Sequence, residues 1–442
     1  MRKRLSRRVS IAILAAGLLL LLYVGAVVIA NRQLTRMLPG TLAEAVGGRD
    51  ADRYSVAVGD VALSYSLRGV RISDLRVELD STRTAETEEP ALIRAANLGL
   101  LRVSGLRLIP LLTGEGIFVS NIVIEGPTIS LDFSAAAPAP AVAETADSGG
   151  SASRTAPNAS LRRVRVRNGS VDVARPTEYG TLVSFLRNLD LDLSEIRIDS
   201  VTLADPVRAL ANSRVMLAFD SVRHVLDDSL YAVTATGFRA DSRDSVMVID
   251  AVRLTPTLEA MPFFGRLPQR ADRTNISAGP IRIEGIDFAN YIRDEALHVR
   301  LVEVDSLDLH IYSDIDMDWG PRAQPCRYHM GFRDIPIPIR LDSLRINDGS
   351  IRYSELAKGS VRPGELTFEH VNGGITNLNN DPQLMTPATP AVVSLSAKLF
   401  GEGDISATVR YPLLSPTLDF DIEASAGPMP LAAVSRFSTN VA

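Results

Sequence analysis

The chain predicts a mainly β protein of the α+β kind, with a single N-terminal transmembrane helix, an elongated, twisted antiparallel β-sheet and a few short helices. Three observations carry this. An apolar run from Val9 to Ala30, broken only by Ser10, is the one stretch of membrane-spanning length. From Val56 onward hydrophobicity alternates with period two, which marks strands with one buried face. A phrase of two alternating segments around a glycine occurs three times.

The apolar run holds 22 residues. As a helix it measures roughly 33 Å, enough for a bilayer core of about 30 Å. It exceeds the usual h-region of a cleavable signal peptide, so an uncleaved anchor is expected. Arg2, Lys3, Arg4, Arg7 and Arg8 precede the run, and only Arg32 and Arg36 follow closely. The positive-inside rule puts the N-terminus in the cytoplasm and the body across the membrane, in the periplasm of a bacterium. Removing those five positive charges from the formal −5 leaves the body at −10, which argues against nucleic acid as a partner. Cys326 is the single cysteine, so no intrachain disulfide forms.

The segments follow in order. Residues 1–8 form a cytoplasmic basic stub, 9–30 the anchor and 31–133 an N-terminal β module that opens with a helical stretch over 31–48. Within this module 106–112 reads as a short amphipathic helix. Residues 134–160, rich in Ala, Pro, Ser, Thr and Gly, predict a disordered linker that cannot offset its ordering entropy by burial. A β-rich body spans 161–427, with helical breaks at 206–211 and 287–296. Asp287 is placed to cap the second, with Phe288, Tyr291 and Ile292 on one face. Strands over 391–400, 405–411 and 418–424 close the body, and 428–442 is a C-terminal tail.

The recurring phrase reads Val119-Ser-Asn-Ile122-Val-Ile124-Glu-Gly126-Pro-Thr-Ile129-Ser-Leu131, then Leu161-Arg-Arg-Val164-Arg-Val166-Arg-Asn168-Gly169-Ser-Val171-Asp-Val173. Its third copy is Leu341-Asp-Ser-Leu344-Arg-Ile346-Asn-Asp348-Gly349-Ser-Ile351-Arg-Tyr353. The Asn-Gly and Asp-Gly pairs predict hairpin turns at those points.

Motifs that would carry covalent chemistry are weak. Asp314-Ile-Asp316-Met-Asp318-Trp-Gly320 begins like a calcium loop, but the glycine falls one place late and the twelfth position is Pro325. Period-two alternation explains it better. Cys326 and His329 have ligand spacing without a second pair. His224, His298, His310 and His370 are scattered and read as surface or edge residues, and Asp227-Asp228 reads as a solvated turn. No nucleophile elbow, zinc-protease helix or phosphate loop occurs. The expectation is therefore a non-enzyme with no catalytic residues, cofactor or metal.

Val56-Ala-Val58-Gly-Asp60, then Leu67-Arg-Gly-Val70-Arg-Ile72-Ser-Asp-Leu75, then Ile122-Val-Ile124-Glu-Gly-Pro127, follow an anchor and a short helix in an order that resembles the AsmA-like family of bacterial envelope proteins. The resemblance covers residues 9–133 best. Ile351-Arg-Tyr353-Ser-Glu355 with Gly364-Glu-Leu366-Thr-Phe368, and Leu399-Phe-Gly401-Glu-Gly403, resemble further relatives. It implies an open β-groove with an apolar inner face that binds or conducts phospholipid or another envelope lipid between inner and outer membrane. An outer-membrane or periplasmic protein is a further implied partner. Relatives continue into more strands, which implies a short groove here, or one capped by 427–442. On this reading one face of the phrase lines the groove: Val164, Val166, Val171, Val173, Leu344, Ile346, Ile351 and Tyr353. The rival reading is a tethered envelope-assembly scaffold acting through its sheet edges. An anchored hydrolase is a third.

Overall fold

The computed structural model describes residues 54–64, 68–80, 93–107, 116–132, 158–177, 180–196, 213–226, 229–317, 335–360, 362–381, 384–386, 388–413 and 420–441. The expected anchor, the 31–48 helix, most of the 106–112 helix, most of the linker and the 206–211 break lie outside these residues. The described chain is mainly β, and its strands fall into two compact units.

The first unit holds β1 (Tyr54–Leu63), β2 (Gly69–Leu79), β3 (Ile93–Ser104), β4 (Gly116–Glu125), β5 (Thr128–Asp132), β6 (Asn158–Thr177) and both ends of β7 (Gly180–Ser194). Strands β1, β2 and β3 form an antiparallel meander. Both β4 and β5 pair antiparallel with β3 and parallel with β6, so they are two halves of one strand interrupted at Gly126-Pro127.

The second unit takes residues 182–189 of β7 and continues with β8 (Arg214–Val225), β9 (Tyr231–Asp241), β10 (Val246–Ile249), β11 (Ala251–Pro256), β12 (Arg273–Ala278) and β13 (Ile281–Glu284). Then come β14 (Leu297–Asp305), β15 (Asp308–Asp314), β16 (Ile339–Leu356), β17 (Gly364–Asn379), β18 (Ala391–Leu399), β19 (Gly403–Tyr411) and β20 (Asp421–Ala426). Strand β9 pairs with β8 on one side and with the halves β10 and β11 on the other. These pair with β13 and β12, which pair with β14 and β15. The halves β14 and β15 run parallel to β16. An antiparallel run from β16 to β20 finishes the unit.

The strands form one mixed sheet, which corrects the purely antiparallel expectation. The physical reason lies in the repeats. Val119 pairs with Leu161, Ile124 with Val166 and Ile129 with Val171, so the first two copies of the phrase lie side by side in parallel register. The partner is 42 residues further along throughout. Beside the third copy Leu301 pairs with Ser343 and Leu309 with Ile351, again 42 residues on. The segment 299–311 is a fourth copy that sequence reading missed, because Ser306-Leu307 stands where the others carry glycine.

The expected hairpins are also corrected. Asn168-Gly169 lies inside β6 and Asp348-Gly349 inside β16. A two-residue type I′ turn needs positive φ at both residues. Here only Asn168 (φ 53°) and Asp348 (φ 51°) adopt it, which yields an irregularity within a continuing strand. Such points line up across neighbouring strands. In the first unit the seam runs through Asp74 (φ 53°), Gly126 (φ 61°) and Asn168. In the second it runs through Gly237 (φ 65°), Gly279, Ser306 (φ 53°), Asp348 and His370 (φ 51°). Backbone bonds tie it together: Gly279 N–H donates to Asp305 O at 3.0 Å, Ser306 N–H to Asn347 O at 3.1 Å and Ser350 N–H to Leu307 O at 2.6 Å. Bulges bend and over-twist a strand, so an aligned row bends the sheet along one line.

Three helices are described, all in the second unit: α1 (Ala260–Phe264), α2 (Phe288–Asp294) and α3 (Leu431–Val441). For α2 the expected cap holds, since Asp287 Oδ1 accepts from Asn290 N–H at 2.9 Å. Phe263 and Phe264 of α1 are buried, with Phe263 edge-on to Tyr231 at 5.5 Å. Helix α3, within the expected C-terminal tail, packs against β17 and β16. Strand β15 stops at Asp314, whose Oδ1 accepts from Asp316 N–H at 3.0 Å, so alternation does not continue to Met317.

Candidate functional site: the apolar sheet faces

Strict alternation, held in register across neighbours, gives the sheet in each unit one apolar and one polar face. In the first unit Val61, Ile72, Leu101, Ile124 and Val166 form one row across five strands. Val56, Val77, Ala96, Ile129 and Val171 form another. The expected lining residues Val164, Val166, Val171 and Val173 fall on this face, beside Ile122, Ile124, Ile129 and Leu131, and all four are half-buried.

In the second unit Leu344 lies between Val302 and Ile375, Ile346 between Val304 and Gly373, and Ile351 between Leu309 and Phe368. All three are half-buried. Tyr353 shares the face but differs in chemistry. Its hydroxyl donates to Glu355 Oε2 at 2.6 Å, and burial, with the carboxylate beside it, pushes the phenol up to about 12. Nearby, Arg270 donates to Ser313 Oγ at 3.0 Å. Tyr353 thus marks a polar end of the apolar row. The eight expected lining residues divide four and four, brought together within each unit.

A cavity of about 520 Å³ opens on this face of the second unit. Ile351, Phe368, Val371 and Leu395 form one side, and Ala397, Ile405, Ala407, Ala424 and Ala426 the other. Sequence reading found only Ile351 among them. The missed signal was the small residues: Ala397, Ala407, Ala424 and Ala426 alternate with polar neighbours as strictly as the valines do. Met429 closes over Gly403, where a Cβ would meet Met429 Cε at 2.6 Å.

The opposite faces are polar. On β6 and β7, Arg163 Nε donates to Asp192 Oδ1 at 2.7 Å, Arg165 Nε to Asp192 Oδ2 at 3.2 Å and Arg167 Nη1 to Asp190 Oδ2 at 2.7 Å. Asp192 is buried, and its bonds from Arg163 hold the carboxyl below its usual range. In the second unit Lys398 Nζ pairs with Asp404 at 2.8 Å, and His370 Nδ1 with Asp348 at 2.7 Å.

The other histidines have ordinary partners. His224 meets Ser184 Oγ at 3.2 Å, His298 meets Asp342 at 3.1 Å and His310 meets Ser354 Oγ at 2.9 Å. Among the described residues no three His, Cys, Asp or Glu side chains group to hold a metal ion. Cys326, His329 and Asp227-Asp228 lie outside them.

No family model, curated protein or solved structure matches this chain. No helix among the described residues is long and apolar enough to cross a membrane, and 9–30 lies outside them.

The faces are sealed in part, at Val61, Ile72 and Val77, and open in part. A closed sandwich would seal such rows in a core. Here Ile129 is 37% and Ile422 58% exposed, so apolar carbon stays within reach of a ligand. Each methylene moved from water onto such a surface gains about 0.8 kcal/mol.

Proposed function

We propose that the chain is a membrane-anchored periplasmic β-groove protein of the AsmA-like kind, which binds or conducts lipids between inner and outer membrane without covalent chemistry. One observation carries this: in each unit an apolar row continues from strand to strand, and although Val61, Ile72 and Val77 are buried, Ile124, Val166 and Val171 in the first unit and Leu344, Ile346 and Ile351 in the second stay half-buried. Acyl chains need only such a continuous dry surface, and headgroups can stay in water at its rim. The basic N-terminus and the 9–30 run supply the tether, and the order of motifs supplies the family resemblance.

Val166→Asp and Ile351→Asp, one in each unit, test this. A half-buried position keeps some water near the new charge, so both variants should fold, with lower melting temperatures. Lipid co-purifying with the full chain, counted by mass spectrometry, should fall in both. Undiminished lipid in well-folded variants would rule these faces out as the conduit. Unfolding of both would favour a sealed core, since an unpaired buried charge costs several kcal/mol.

The scaffold reading has one observation in its favour. All six residues of β20 are exposed and the strand pairs only with β19 among the described strands, beside Phe420 at 52% exposure. Such an edge can accept a partner's strand.

A further inference from the structure

We infer that the cavity on the second unit is a holding site for one acyl chain of a single-chain lipid, a free fatty acid. This rests on the lipid-binding reading and narrows it. The volume fits one chain. At roughly 30 Å³ per methylene, about the share of a water molecule in the liquid, 520 Å³ takes up to about 17 groups. That is about one long chain.

The walls are bounded, which a through-path would not be. The floor is made of small side chains: Ala407 faces Ala424 across β19 and β20, and Ala397 and Ala426 flank Ile405. One row further along, Val393, Val409 and Ile422 stand in register and end the floor with bulk. At the other end Met429 lies over Gly403, which has no side chain to fill that space. Between these stops the cavity reaches Ala424 and Ala426 on the exposed strand β20. A chain entering there leaves its carboxylate in water at the sheet edge. The lining is apolar apart from serines, so chain length governs affinity more than headgroup does.

Ala407→Phe puts a ring into the cavity without adding charge. Binding of palmitate and of dipalmitoyl phosphatidylglycerol to the purified full chain should be measured by calorimetry, with melting temperature recorded in parallel. Wild type should bind palmitate one to one. Ala407→Phe should bind it about tenfold or more weakly, a loss of about 1.4 kcal/mol or more, with its melting temperature kept. Glu303→Gln, at an exposed polar rung of the same unit, should leave palmitate binding intact. If Ala407→Phe fails to fold, Ala424→Leu on the exposed strand makes the same block. Unchanged palmitate binding in a folded blocking variant overturns the holding site. Phosphatidylglycerol bound without palmitate also overturns it, while sparing the lipid-groove reading. If wild type binds neither lipid, both readings fall.

Discussion

Beside β6 and beside β16 a broken strand lies parallel to a continuous one, its partner 42 residues on, and the apolar sides match row for row. The polar sides do not match. In the first unit Arg163 and Arg165 bond one buried carboxylate, Asp192, and Arg167 bonds Asp190. In the second the rungs are separate and exposed: Arg345 to Glu303 at 3.4 Å, Asn347 to Asp305 at 2.8 Å and Ser350 to Asp308 at 3.1 Å, each joining in-register neighbours. The repeat keeps its apolar side and leaves the polar side to be stabilised in different ways. The second unit also carries helices and a bounded cavity, where the first is described as strands alone.

The largest expected effect is at a glycine of the second unit. Gly373 has φ 151°, and a Cβ there would sit 2.0 Å from Ser394 O, backbone that cannot move aside. Gly373→Ala should cost about 3 kcal/mol or more in urea unfolding. Gly126 in the first unit has φ 61° but open space around it, so Gly126→Ala should cost only about 1 kcal/mol of left-handed strain. Equal losses would show that the two glycines are under the same packing constraint.

Next comes the buried hub. Asp192→Asn leaves Arg163 and Arg165 without their anion and should cost about 2 kcal/mol, allowing for the partial exposure of the arginines. The folded carboxyl titrates below its ordinary 3.8, so its contribution is present above that pH and is lost as pH falls through the lower folded value. Acid unfolding below pH 3.8 should accordingly be shallower in Asp192→Asn. Glu303→Gln, at an exposed rung, should cost under about 0.5 kcal/mol, within the range of surface pairs. A Glu303 effect as large as that of Asp192 would erase the contrast.

The smallest effect is a pH slope. Burial lowers the His310 imidazole below its ordinary 6.5, with Arg352 and Arg273 acting in the same direction against Glu365 and Asp308. The unfolded chain therefore takes up its proton first, and stability falls as pH drops through 6.5 toward the lower folded value. His310→Gln should flatten that slope in melting curves recorded from pH 7 to pH 5.

Much of this was legible from alternation alone. It placed Val164, Val166, Leu344 and Ile346 on shared faces, but the side-by-side pairing of 119–131 with 161–173 was not anticipated, because each phrase read as a hairpin closed on itself. Strand direction was not legible, because period two is the same for parallel and antiparallel neighbours. Asn168-Gly169 and Asp348-Gly349 read as hairpin turns because the dipeptide is shared with bulges, and only φ at the second residue separates them. Helix α1 is too short for a periodic signal. Helix α3 had one in Leu431, Val434 and Phe437 after Pro430, but its apolar stripe was narrow. The cavity was missed because alanine in a strand weakens the hydrophobic signal while making the space.

The most direct measurement is site-specific photocrosslinking in intact cells, with a benzophenone side chain at Val166 or Ile351 and, as opposite-face controls, at Arg165 or Arg352. Mass spectrometry of the purified chain should find lipid adducts at Val166 and Ile351 and few or none at the two arginine positions. Equal labelling on both faces, or none at Val166 and Ile351, would contradict lipid carriage by the apolar faces.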